Sequence, residues 1–443
     1  MSSEARLKIR TGMRSTFFTM LLLSTTVINA ADVTAFTGAR VMPVSGPVIE
    51  DGVLVVRDGK IEAVGASKDV VIPTGAKQID ASGKTIIPGL ICTHSHIGMG
   101  GGGDSSGPIQ PECWTLDSVN VRAASLERAR AGGLTLVNQM PGSGHLISGR
   151  TTYLKLRRGG TVDELLIKDS TGWPMGGLKM ANGTNSQRSS PFPGTRAKSA
   201  ALVRESYIKA QEYRDKIARA EDDPEKMPER NLRMEALVEA IEGKRIVHHH
   251  THRHDDILTV IRIAAEFGYS PVLHHVSEAH RVANEIAAAN VPVSLILIDS
   301  PGGKLEAQYS DLKSAPALEE AGAMVGFHTD DYISDSRLFM RQAALGVRAG
   351  MSRTIALRAL TLAGAEMMGL GDQIGSLEPG KDADFVILSG DPFSVYTRVQ
   401  ETWVEGMKRF DIDDPDDRTV AEGGFGVLQP SVFVDIHGYG EWN

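Results

Sequence analysis

The chain has 443 residues, of which 41% are hydrophobic and 23% are charged, and its formal net charge is -8. This length is too great for one small hydrophobic core, so we expect one large α/β barrel with additions or two to three ordinary domains. The negative net charge argues against a general nucleic-acid binder, because it offers phosphate groups no broad basic field.

The N-terminal segment has the pattern of a secretory signal peptide. Arg10 and Arg14 precede an apolar run over residues 17–23, and small residues around Ala30 form a cleavage site. The run is too short to span a bilayer. We therefore predict cleavage near Ala30, a periplasmic or secreted mature protein and no stable membrane anchor. A disordered tail is the alternative, because the charged stretch before Met13 is long for a signal peptide.

Two cysteines, Cys92 and Cys113, are too few for a disulfide framework, although an exported chain could pair them. We expect both to be unpaired. Cys92 lies among apolar residues and fits the role of a small buried hydrophobic side chain.

Short runs of β-branched residues, separated by Gly and Asp-Gly, occur at both ends of the chain. Residues 38–65 contain such runs, and residues 383–388 and 402–407 contain two more. We expect the two ends to pair in space as one small β-domain. The middle of the chain is then a continuous insertion with its own core.

Within this insertion, short apolar strands alternate with amphipathic helices. The clearest helix follows Asp255 and Asp256, carries apolar residues at helical spacing and stops at Gly268. Strands follow at residues 271–275 and 323–328, among others. The alternation predicts a parallel (β/α)8 barrel of the TIM type. The predicted divisions are a signal peptide over 1–30, a first β-part over 31–85, a barrel over 86–369, and a second β-part with a C-terminal tail over 370–443.

The segment Thr93-His94-Ser95-His96 ends an apolar run over residues 85–92. Side chains alternate in an extended strand, so the two imidazoles point the same way, about 6.5 to 7 Å apart. Two neutral imidazoles can bind one metal ion, and a strand end beside a loop leaves a coordination position for water. An accidental pair of histidines is the alternative for this motif in isolation.

Further residues able to bind metal lie at the ends of later predicted strands, where a barrel gathers its active-site groups. They are Lys179, His250, His275 and Asp330. Taken singly, each has a structural explanation: a strand-edge charge, part of a surface histidine tract, a core histidine and a helix cap, respectively. Their order along successive strand ends favours a metal site.

Two segments resemble signatures of the amidohydrolase superfamily, and more narrowly its imidazolonepropionase-like and dipeptidase-like branch. They are Pro88-Gly89-Leu90-Ile91-Cys92-Thr93-His94-Ser95-His96 and Gly375-Ser376-Leu377-Glu378-Pro379-Gly380-Lys381-Asp382-Ala383-Asp384-Phe385-Val386. The resemblance covers nearly all of the chain after the predicted signal peptide. It implies a (β/α)8 barrel with a small β-sandwich built from both termini, in agreement with the split β-domain.

The resemblance also implies a role for each candidate residue. Asp330 would be both a metal ligand and the catalytic base, and Lys179, once carboxylated, would bridge two divalent metal ions, which we expect to be zinc. With an unmodified lysine, the site would hold one ion. His248, His249 and His252 compete with His250 for the fifth-strand ligand. The implied ligands are His94, His96, Lys179, His250, His275 and Asp330.

A C–N hydrolase that uses a metal-activated water is the implied activity, on a small-molecule amide or dipeptide-like substrate. Deaminases of the superfamily commonly carry a glutamate three positions after the fifth-strand histidine, where this chain has Arg253. Arg253, together with His280, is therefore expected to bind the substrate, with Arg253 facing a carboxylate. The alternatives are a cyclic-amide hydrolase, a deaminase and an inactive ligand-binding homologue. A homo-oligomer is left open.

Overall fold

The computed structural model describes residues 33–99, 103–104, 106–221, 223–297, 305–331 and 333–423. The predicted signal peptide lies outside these ranges. Within them, no helix is both long enough and apolar enough to cross a membrane. Cys92 and Cys113 are both free, as the sequence predicts, and Cys92 is buried.

The strands are β1 (Val33–Val41), β2 (Ile49–Arg57), β3 (Lys60–Ala66), β4 (Lys77–Asp80), β5 (Thr85–Pro88), β6 (Leu90–Ser95), β7 (Leu134–Gln139), β8 (Ile147–Arg150), β9 (Thr152–Lys155), β10 (Leu178–Ala181), β11 (Val247–Thr251), β12 (Pro271–His275), β13 (Val293–Leu295), β14 (Val325–Phe327), β15 (Phe385–Leu388), β16 (Val399–Val404) and β17 (Met407–Asp411). The α-helices are α1 (Ala124–Ala131), α2 (Arg196–Ala220), α3 (Leu232–Ile241), α4 (His254–Phe267), α5 (Ala283–Ala288), α6 (Ser314–Glu320), α7 (Phe339–Ala349), α8 (Arg353–Leu360), α9 (Leu362–Glu366) and α10 (Pro415–Glu422).

The two ends of the chain form one mixed sheet. Its order is β17-β16-β15-β5-β1-β2-β3, and β4 also pairs with β1. The two halves join where β5 and β15 run antiparallel, with Phe385 opposite Pro88. Beneath this junction, the ring of Phe385 stacks on Trp403 and meets Phe36 edge-on, with ring centroids 5.5 and 4.9 Å away. The expected pairing of the two ends is confirmed, whereas a sandwich of two packed sheets stays a prediction.

The middle of the chain forms two further sheets instead of the predicted closed cylinder. One has the order β14-β13-β12-β11-β10-β8, and the other has the order β6-β7-β9. Strands β10 to β14 are parallel, as are β6 and β7, whereas β8 and β9 run antiparallel to their neighbours. The predicted parallel α/β arrangement is therefore present among the described strands, but the hydrogen-bonded ladder does not close.

The two seams between these sheets explain the interruption. At one seam the chain itself crosses over, because β8 and β9 are consecutive and each pairs with a different sheet. At the other, β6 and β14 meet through single contacts: the Thr93 hydroxyl donates to the Phe327 carbonyl at 3.3 Å, and the Asp330 N–H donates to the His94 carbonyl at 3.1 Å. This second seam holds His94 and Asp330 next to each other.

Helix α4 follows its sequence pattern closely. Ile257, Val260, Ile263 and Phe267 recur at helical spacing and are buried, and Gly268 ends the helix with a φ of 78°. The helix begins at His254, before Asp255 and Asp256 and not after them as predicted. Both aspartates lie in its first turn, where the positive end of the helix dipole stabilises their negative charges.

Two helix predictions need correction. The predicted helix over 278–289 is a 3-10 turn at Ala279–Arg281 followed by the short α5. The predicted helix over 352–368 begins as expected, with the Ser352 hydroxyl accepting the Ile355 N–H at 3.3 Å, but it breaks at Thr361, whose φ and ψ are -134° and -97°. The break separates α8 from α9.

Candidate metal centre

The six predicted ligands come together at the carboxyl ends of the parallel strands. The two histidines of the H-x-H motif end β6, one residue lies on each of β10, β11 and β12, and the aspartate follows β14. Each is at most 3% exposed. They are His94, His96, Lys179, His250, His275 and Asp330.

Asp330 is the point on which the first group converges. Its Oδ1 lies 3.3 Å from His94 Nε2 and 2.9 Å from His96 Nε2, and these two nitrogens are 3.3 Å apart. Two ligand atoms about 2.0–2.2 Å from one tetrahedral ion are separated by roughly 3.3–3.6 Å. The three side chains therefore fit a single ion. His275 completes the group, because one ligand atom each from His94, His275 and Asp330 lie within 4.8 Å of one another.

Backbone and hydrogen bonds orient these ligands. His96 Nδ1 pairs with the Met140 carbonyl at 2.8 Å, which leaves Nε2 for a metal. His275, Val276 and Asp330 all have positive φ values, of 72°, 42° and 47°. Left-handed backbone is costly for residues other than glycine and concentrates at functional sites. The strain at these three residues is consistent with a site that demands one side-chain geometry.

Burial sets the charge of the imidazoles. The pKa of His94 lies well below its usual value, first because the ring is fully buried and then because Lys179 is close. Burial, followed by the repulsion of His250, likewise lowers the pKa of His275. Both rings are therefore neutral near pH 7, which is the form that binds metal ions.

Lys179 has no exposed surface, and its Nζ lies 3.3 Å from His94 Nε2 and 3.2 Å from Met140 Sδ. It is therefore within reach of the metal ligands. Its carboxylation, and with it a pair of bridged zinc ions, stays a prediction from the family resemblance.

The histidine tract on β11 separates by strand alternation. His248 points into the interior, where it meets the Tyr153 hydroxyl at 3.1 Å and His274 at 2.9 Å. His249 points to the opposite face and lines a cavity between the sheet and helices α2 and α4. His250 lies with its ring centroid 4.4 Å from that of His275, and His252 is 4.7 Å from His250. The rings of His250 and His252 both lie beside that of the predicted ligand His275, with centroids 4.4 and 5.1 Å away.

Sequence reasoning missed three residues near the site, which are His328, Glu306 and His274; the last could share a metal ion with His94 and His328. His328 lies two positions before Asp330, and its Nε2 is 3.0 Å from His275 Nδ1. The i, i+2 spacing of His328 and Asp330 is a signal that could have revealed it. Glu306 is also buried, and its Oε1 lies 3.7 Å from His250 Nε2. It lies on a 3-10 turn that no sequence pattern predicted.

A cavity of about 300 Å³ adjoins Glu306, which lines it together with Arg253 and Arg281 among others. Arg253 pairs with Asp255 at 2.9 Å and is 40% exposed. His280 lies on the 3-10 turn Ala279–Arg281, and its Nδ1 pairs with the Ser314 hydroxyl at 3.1 Å. It is not among the residues that line this cavity, and its role in substrate binding stays a prediction.

Metal-ligating side chains gathered at the ends of parallel strands define a class of metal-dependent hydrolases. Residues 229–415 match the model of the amidohydrolase family. A solved amidohydrolase from Thermotoga maritima MSB8 is 32% identical with a TM-score of 0.78, and the match covers 85% of this chain and 100% of that one. The chain belongs to the amidohydrolase family.

Curated relatives are more distant. Amidohydrolase tasK of Hapsidospora irregularis is 25% identical over 402 residues, which are 83% of this chain but 40% of that protein. The chain thus spans less than half of that relative. A 5-methylthioadenosine/S-adenosylhomocysteine deaminase of Bacillus cereus (strain 03BB102) is 26% identical over 398 residues, which are 83% of this chain and 85% of the relative.

Proposed function

We propose that this protein is a metal-dependent hydrolase that cleaves the C–N bond of an amide or dipeptide-like substrate carrying a free carboxylate. The observation that carries the proposal is the convergence of His94, His96 and Asp330, whose ligand atoms lie 2.9 to 3.3 Å apart. Membership of the amidohydrolase family supports the hydrolytic class.

The metal-binding group and Asp330 would have different roles in the hydrolysis. A divalent ion bound by this group supplies a Lewis acid that activates water and polarises a carbonyl. The Asp330 carboxylate lies against both imidazoles of the H-x-H motif, so it can accept a proton at a carboxylate oxygen and return it to the leaving nitrogen. Burial of the whole group excludes bulk solvent and strengthens these electrostatic interactions.

The guanidinium groups beside the site favour a substrate that carries a carboxylate. Arg253 and Arg281 both line the cavity of about 300 Å³ next to Glu306. Arginine binds carboxylates through paired, charge-assisted hydrogen bonds. The existing pair of Arg253 with Asp255 is exposed and therefore weak, so a substrate carboxylate can compete with it.

A deaminase is the second candidate, and Glu306 is the observation that favours it. The glutamate that is common after the fifth-strand histidine is replaced by Arg253, but Glu306 brings a buried carboxyl group to 3.7 Å from His250 Nε2. The relatives named as deaminases, such as the one from Bacillus cereus, add weight to this candidate.

An assay of dipeptides, N-acyl amino acids, lactams and aminopurines side by side tests the proposal. We expect turnover of the linear amides, and loss of at least about 100-fold in Asp330→Asn and His96→Gln, because even outer partners of metal ligands are worth 10- to 100-fold. His249→Gln is the matched control, since this buried histidine faces away from the site. Ammonia release from aminopurines alone would favour the deaminase, and full activity in Asp330→Asn would refute both candidates.

We also propose that the protein is exported to the periplasm or secreted. The apolar run over residues 17–23, preceded by Arg10 and Arg14, supports this location.

A further inference from the structure

A second group of potential metal ligands lies beside the first. His250, His252 and Glu306 are all buried, and one ligand atom from each lies within 4.8 Å of the other two. Only His250 belongs to the ligand set that the family resemblance implies. Glu306 comes from the turn Leu305–Ala307, on the chain between β13 and α6.

This second group repeats the design of the first. His250 and His252 are separated by one residue at the end of β11, as His94 and His96 are on β6. The ring centroids are 4.7 Å apart at 81° in the second pair and 5.1 Å apart at 84° in the first. Each pair is joined by one buried carboxylate from a distant part of the chain. Two imidazoles and a carboxylate form an N₂O set that suits Zn²⁺ and similar ions.

Neighbouring contacts hold the members of the second group in place. His252 Nδ1 pairs with the Ser277 hydroxyl at 2.7 Å, which leaves Nε2 as the ring nitrogen for a metal. The Glu306 carboxylate accepts the Thr184 N–H at 2.6 Å, and its Oε1 is 3.7 Å from His250 Nε2.

His275 lies between the two groups. Its ring centroid is 4.4 Å from that of His250, and its Nδ1 is 3.9 Å from Asp330 Oδ2. Ions held by the two groups would therefore be neighbours. Because Glu306 also lines the arginine-containing cavity, the second ion would lie next to the proposed substrate site.

We propose that His250, His252 and Glu306 hold a divalent transition-metal ion of their own, independently of Lys179. The inference rests on the proposed function for the first metal position. It differs from the family-based expectation in one respect, because the second ion then needs no carboxylated lysine.

Metal content of the purified full-length protein tests this inference. The protein would be loaded with Zn²⁺, dialysed to remove free ion, and its metal measured by mass spectrometry. We expect about two ions per chain in the natural protein and in Lys179→Ala, and about one in Glu306→Gln and His252→Gln. His249→Gln is the control and should keep two, and circular dichroism would verify that each variant folds.

Loading with Co²⁺ provides a readout that does not depend on turnover. We expect Glu306→Gln and His252→Gln to lose one of two sets of visible absorption bands, while His96→Gln loses the other. The inference is overturned if both variants keep the natural metal content, if Lys179→Ala alone removes one ion, or if the natural protein binds a single ion. The proposed function fails separately, through full hydrolytic activity in Asp330→Asn.

Discussion

Replacing Lys155 with methionine should destabilise the junction between the terminal sheet and the rest of the protein. Lys155 ends β9 and is 3% exposed, and its ammonium group contacts three carboxylates of the second terminal segment. It pairs closely with Asp382 and lies 3.3 Å from Asp384 and 3.1 Å from Glu405. Methionine has a similar length but no charge, so the carboxylates would lose their central cation.

The magnitude is determined mainly by Asp384. This carboxylate is 2% exposed, whereas Glu405 is 31% exposed and keeps its pair with Arg157 at 2.6 Å. Breaking a buried ion pair costs about 3–5 kcal/mol. With about 380 described residues and an unfolding entropy of about 2.1 cal/mol/K per residue, this corresponds to a fall in melting temperature of roughly 4–6 °C.

The loss should depend on pH. Burial raises the pKa of Asp384 to about 6, although Lys155 acts in the opposite direction. Removing Lys155 raises it further, so the folded variant binds a proton more tightly than the unfolded chain. The contribution of Asp384 to the stability of the variant is therefore fully present below about pH 4 and is lost as the pH rises through the folded-state pKa of this carboxyl group. The deficit relative to the natural protein should be large at pH 8 and small at pH 4.5.

Thermal unfolding followed by circular dichroism at pH 8 and pH 4.5 measures both effects. Lys60→Met is the matched control: Lys60 pairs with Asp382 at 2.5 Å but is 55% exposed, so its loss should cost only about 0–1 kcal/mol. Equal melting temperatures for the two variants at pH 8, or a deficit of Lys155→Met that grows on acidification, would refute the reasoning.

Two further predictions concern the metal and the N-terminus. Dialysis of the folded protein against a chelator should lower its melting temperature. Free Zn²⁺ at about 1,000 times the dissociation constant should restore about 4 kcal/mol of stability for each ion that binds. Calorimetry checks this, and an unchanged transition would argue against a metal bound by the native state. N-terminal sequencing of the active protein from the periplasm should begin near Ala31, and a retained Met1 or Met13 would contradict export.

Several features of this protein follow from the sequence alone, because they depend on short-range backbone geometry. Strand alternation predicts that His94 and His96 share a face, and helical spacing with a left-handed Gly268 predicts most of α4. The β-rich runs at both ends predict a split β-domain, although not the order of its strands.

Other features were decided by the tertiary structure. The position of Asp330 beside the H-x-H pair depends on the seam between β6 and β14, which are separated by more than two hundred residues of chain. Glu306 approaches His250 from a 3-10 turn whose sequence has no helical or strand periodicity, and the contact of His280 with Ser314 also joins separate elements. Local patterns specify which face of an element a side chain occupies. Which distant side chain it meets depends on how the elements pack, because those contacts join segments that no short sequence window contains.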